Sequence, residues 1–203
     1  MEDRELLAAI GQVVVTAAAL EYAVAVLVAL TEGHQDQACE DRALSIVKGP
    51  GGAMRELRKL ACAHLRGQGM SERLIAEWLL GSRRLTEAGK PLPDDTDISE
   101  KTVRKDLALW DRAHADAVPV LQFDVFHLWR DARAVLHDRH VIAHSIALEE
   151  VEAGGQGGLV ILDARNGAEM TLTTAVALSL VQDIRITYRR FYKAIAAESS
   201  RGS

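Results

Sequence analysis

VLQFDVFHLWRDARAVLHDRHVIAHS, residues 120–145, carries the period that decides the fold. At about 100° per residue, Leu121, Val125, Leu128, Trp129, Ala132, Val135 and Leu136 fall on one apolar stripe, the pattern of an amphipathic helix laid on a core. Arg139 keeps the phase of that stripe, one heptad after Ala132. A guanidinium in a core position costs several kcal/mol, on the order of 3–5, unless it is paired. Arg139 therefore marks the end of the core or faces a crevice where an anion or carboxylate meets it. One flank of the helix carries Arg130, Arg133, His137, His140 and His144, and the opposite flank carries Asp124, Asp131 and Asp138.

Working outward, the same 3.6-residue period predicts further helices. The first spans about Asp3 to Leu30 and includes VVVTAAALEYAVAVLVAL, residues 13–30. That run is long enough to raise the question of a membrane span, but Glu21 lies in its middle, and a mid-span carboxylate is expensive in lipid. The expectation is the buried first helix of a soluble bundle, with Glu21 either solvated or buried against a partner. Residues 40–48 suggest a short helix at best, and KGPGG ends it. A helix over 53–66 presents Met54, Leu57, Leu60, Ala61 and Leu65. Another, capped by Ser71 and running to about Glu87, presents Leu74, Ile75, Trp78 and Leu79.

AGKPLPDDTD, residues 88–97, is the clearest loop. Asp97 and Glu100 fit a capping box for a helix over about 98–115, and the helix of the opening stretch then starts near Val120. SIALEEVE and GLVILDAR flank AGGQGG, which predicts a small β-hairpin near residues 145–165, the one expected sheet. Asn166-Gly167 turns the chain, and Thr171 or Thr173 caps a last helix. Its core face is Ala177, Leu180, Val181, Ile184, Tyr188, Phe191 and Ile195, with Arg185, Arg189, Arg190 and Lys193 around the remainder. The fold class is all-α: a multi-helix bundle, in one domain over 1–203, with a hairpin before the last helix.

Composition narrows function. Apolar residues make up 48% and charged residues 26% of 203, which describes a soluble globular chain rather than a disordered one. A formal charge of −5 rules out a uniformly basic nucleic-acid coat, so any RNA contact needs a local basic patch. Cys39 and Cys62 lack zinc-site spacing, and with no secretory signal visible they are expected as reduced thiols in the cytoplasm. There is no GxxxxGK[ST] phosphate loop, and GGQGG suits a turn better than a nucleotide site. No cofactor is expected.

Arg139-His140-Val141-Ile142-Ala143-His144 resembles the Rx4–6H motif of HEPN domains, with His140 at the polar position after the arginine where Asn is commonest. Ala143-His144-Ser145 resembles the motif's frequent ending, and the first helix, with Leu20-Glu21, resembles the group's opening helix. The likeness covers the first helix, the motif helix and loosely the last. Residues 67–118 correspond to a variable helical region. The resemblance implies a metal-independent endoribonuclease that pairs two motifs across a homodimer, with single-stranded RNA as substrate. It also implies, in some members, an antitoxin or defence-system partner and a role as toxin or phage-defence effector.

On that reading Arg139 holds the phosphate and His144 acts as base or acid. His140, His137, Arg133, Arg130 and Glu21 are supporting or RNA-binding groups. The chemistry fits the residue types, since imidazole titrates near neutrality and a guanidinium offers forked donors to a phosphorane. Two other readings stand beside it. One is a non-catalytic binding or regulatory module on the same fold. The other is a metal site on His137, His140 and His144, which a span of roughly 10 Å over two turns disfavours. His34, His64, His114 and His127 have no evident partners in sequence and are expected to be ordinary.

Overall fold

The computed structural model describes residues 2–81, 98–115, 117–144, 146–153, 156–162 and 169–201, with side chains described for 4–79, 98–115, 117–142, 158–162 and 169–201. Among them the chain forms α1 (Glu2–Thr31), α2 (Asp36–Lys48), α3 (Gly52–Gly67), α4 (Glu72–Gly81), α5 (Glu100–His114) and α6 (Val125–His144). These are followed by β1 (Ile146–Ala153), β2 (Gln156–Leu162), β3 (Glu169–Thr173) and α7 (Thr174–Ser199). The expected all-α bundle with a small hairpin before the last helix is what forms. Two compact units divide the chain, residues 1–20 with 132–189 and residues 21–131 with 190–203, so the boundary falls inside α1, α6 and α7.

In the first unit α1 buries Leu6, Ala9, Val13, Ala17 and Leu20, three or four residues apart. α6 contributes Ala132, Val135 and Leu136, and α7 contributes Ala177, Leu180, Val181, Ile184 and Thr187. Thr187 takes the core position expected for Tyr188, which is 37% exposed. Thr187 lies three residues after buried Ile184 and four before buried Phe191, so it keeps the helical stripe and the Tyr188 ring stays partly in solvent.

β1 and β2 form the expected antiparallel hairpin, pairing Glu150 with Leu159, with an irregularity between Ala147 and Glu149. A third strand was not expected: β3 pairs antiparallel with β2, Val160 opposite Thr171. Met170–Thr173 alternates with Leu172 facing in, which is strand chemistry, and the cap expectation for Thr171 hid it. Thr173 does cap α7, its hydroxyl accepting from Val176 N–H at 3.2 Å.

The second unit is built on α3, whose Leu57, Leu60, Ala61, Cys62 and Leu65 are all buried. α3 packs on α5, which buries Val103, Leu107 and Trp110. Asp106 on α5 is 1% exposed and accepts from Arg58 Nε at 2.7 Å, so the one charge this seam buries is paired. α2 runs thirteen residues, longer than expected, and buries Cys39, Ala43 and Ile46. α5 is capped by Ser99, whose hydroxyl accepts from Thr102 N–H at 3.2 Å, rather than by Asp97, which lies outside the described residues.

α6 begins at Val125, five residues later than expected, because Asp124 caps it, accepting from His127 N–H at 3.0 Å. Segment 117–122 is instead an irregular strap that side chains tie down. Trp110 Nε1 donates to Ala117 O at 2.9 Å, His64 Nδ1 meets Pro119 O at 3.3 Å, and Glu198 accepts from Gln122 N–H at 3.3 Å. Gly67 completes the fit, since a Cβ there would collide with Val118.

Candidate functional site

α6 is one unbroken helix from Val125 to His144, so the motif lies on regular backbone through its final turn. Val125, Leu128, Trp129, Ala132, Val135 and Leu136 are buried as the period requires, while Leu121 lies before the helix. Arg139 is half-buried in phase with that stripe. Its Nε is buried and meets no hydrogen-bond acceptor among the described residues, while the residue engages in interactions elsewhere.

Arg133, His137 and His140 share one flank, half-buried and each engaged with neighbours. His144 closes the helix, and its side chain lies outside the described residues. Arg130 belongs to the second unit and turns to Asp131, its Nε and Nη2 each 3.3 Å from Oδ1; Arg190 of α7 also pairs with Asp131. The two flanks are thus less separate than the wheel suggests, and part of the charge of Arg130 is offset. Glu21 is half-buried and engaged, and it too belongs to the second unit.

A second cluster, which the sequence did not reveal, lies in the second unit. A cavity of about 750 Å³ opens between the turn after α1, the end of α5, the 117–120 strap and the end of α7. Glu32, with a side chain 3% exposed, sits in its wall and takes both prongs of Arg42, Nε at 2.6 Å and Nη2 at 2.9 Å. These hydrogen bonds raise the pKa of Arg42 against the opposing effect of desolvation. His114 Nε2 stands 3.6 Å from one Glu32 oxygen and His34 Nε2 3.8 Å from the other. The His114 ring stacks on Trp110 with centroids 4.0 Å apart.

His34 and His114 are therefore not the isolated residues expected. The GlyHis turn after the first helix was a visible signal, but its partner comes from a distant helix. Among the described residues no group of three or more His, Cys, Asp or Glu is placed to hold a metal ion.

No known protein family, curated protein or solved structure matches the chain. The fold and site define its class by themselves: a helical bundle with a small antiparallel sheet, an arginine–histidine helix end, and a separate acid-lined cleft.

Proposed function

We propose that the protein is a metal-independent endoribonuclease, similar to HEPN enzymes, that cuts single-stranded RNA at a site shared by two copies of the chain. The observation that carries the reading is the run of α6 through Arg139, His140 and His144, with Arg139 in the phase of buried Val135 and Leu136. On a regular helix five residues turn by roughly 140°, so positions 139 and 144 of one chain fall on different faces. A two-fold partner supplies the complementary pair and doubles the local positive charge on an acidic protein.

The substrate's 2′-hydroxyl attacks the adjacent phosphorus and the 5′-oxygen leaves, giving a 2′,3′-cyclic phosphate and a 5′-hydroxyl. His144 moves the proton, taking it from the 2′-oxygen or delivering it to the departing 5′-oxygen. Arg139 neutralises the phosphorane oxygens. His140, His137 and Arg133 extend the anion-binding flank, and cytoplasmic toxin or defence duty is the setting the resemblance implies.

Arg139→Ala and His144→Ala are expected to lower single-stranded RNA cleavage by about 10²-fold or more, with unchanged circular dichroism. Full activity in both variants contradicts the proposal. RNA binding without cleavage by the wild type would identify a binding module instead.

A further inference from the structure

We infer that the outer face of α7 is a binding track for single-stranded RNA. The inference deepens the ribonuclease reading and rests on it for the choice of RNA. The stretch is RITYRRFYK, residues 185–193. Ile184, Thr187, Phe191 and Ala194 are buried, which fixes the inward side of the helix. Arg185, Arg189 and Lys193 lie on the opposite side at four-residue steps, and all three are exposed. Tyr188 and Tyr192, 37% and 63% exposed, form a second row beside them at the same step. α7 is one continuous helix from Thr174 to Ser199, so the helix alone sets these spacings.

The cations are uncompensated. α7 carries no Asp or Glu between Asp183 and Glu198. Arg190 pairs with Asp131 and Arg201 with Glu198, whereas Arg185, Arg189 and Lys193 make no ion pair with a described residue. On a chain of formal charge −5 this is the local basic patch that a polyanion needs. Each four-residue step advances about 6 Å along the axis, comparable to the spacing of successive phosphates in an extended strand.

The tyrosine row selects the kind of polyanion. An acidic peptide or an anionic membrane would use the cations and leave the rings idle. Unpaired bases stack on exposed aromatic rings while their phosphates meet neighbouring cations. In a duplex the base faces are already covered by one another, so the two rows together fit a single strand.

The probe is a fluorescein-labelled single strand of 2′-O-methyl RNA, about twelve nucleotides long. It has no free 2′-hydroxyl, so anisotropy reads binding without cleavage. Wild-type protein is expected to bind it saturably. Arg185→Ala combined with Arg189→Ala is expected to weaken binding by about tenfold or more at about 0.1 M salt, and to lower the slope of log affinity against log salt by about 1.4. Tyr192→Ala is expected to weaken it about tenfold, and Tyr192→Phe to bind like the wild type, because the ring stacks and the hydroxyl does not. Lys105→Ala, an exposed cation removed from another helix, should also bind like the wild type. All these side chains are exposed, and circular dichroism checks that each variant keeps its fold.

The double arginine variant or Tyr192→Ala binding like the wild type would overturn the inference, as would a wild type that does not bind the probe. So would polyglutamate, phosphatidylserine vesicles or the matching duplex displacing the probe as readily as the unlabelled strand. Cleavage of unmodified RNA is scored separately. Binding through α7 with the RNA left intact would sink the ribonuclease reading and keep the track; cleavage with unaltered binding in the α7 variants would do the reverse.

Discussion

Cys62 shows how completely the second unit excludes water. Burial pushes its thiol up to about 12, the Asp106 charge adds to the rise, and Arg58 opposes it. Burial also raises Cys39, with Glu40 acting in the same direction. The thiolate is the reactive form, so native protein at pH 8 is expected to leave both thiols unreacted with a chromogenic disulfide, and both should react in denaturant. A fast-reacting native thiol would contradict this packing.

The sign of the pH effect follows. The folded value lies above the ordinary 9.0, so the contribution of Cys62 to stability is complete below about pH 9 and is lost as pH rises towards 12. Urea midpoints should fall across that window, and Cys62→Ala should flatten the slope.

Between elements, the α3–α5 seam depends on Arg58 and Asp106. Asp106→Ala strands a guanidinium and is expected to destabilise by about 3–5 kcal/mol in urea unfolding, far more than exposed Glu77→Ala. Adding Arg58→Met should recover much of that loss. Equal, small effects from Asp106→Ala and Glu77→Ala would refute this role.

Elements were also what the sequence displayed best. The periods of α3, α6 and α7 are strong enough to read directly, because a buried stripe repeats every three or four residues, and α1 shows as an apolar run too long for a strand. Their ends were harder. Ser99 and Asp97 are both good caps, and only the fold shows Ser99 in use. Asp124 reads as one of an acidic row and serves as a cap. Tyr188 and Thr187 can each continue the stripe after Ile184, four or three residues on, and the fold buries Thr187. The phase of Arg139 was legible because it is local to one helix. The Glu32 cluster was not, since it joins the end of α1 to the end of α5, and no local pattern records such a meeting.

For the whole molecule, the proposed site requires two copies. α1 is long and apolar enough by composition to cross a membrane, with a mean hydropathy of 2.3 in its most apolar window, and half of that window is buried in the protein. Leu7 and Val15 remain 63% and 69% exposed, apolar surface of the kind that a second chain covers. Light scattering at micromolar concentration is expected to return twice the 22.1 kDa chain mass. A monomer would weigh heavily against a composite site.

The proposed reaction is RNA cleavage by 2′-hydroxyl attack at the Arg139–His144 helix end. Its most direct test is end-group analysis of a single-stranded RNA incubated with purified protein in EDTA. The wild type is expected to leave 2′,3′-cyclic phosphate and 5′-hydroxyl ends, and Arg139→Ala to leave the RNA intact. Intact RNA with the wild type, or products that form only when a divalent metal is restored, would contradict it.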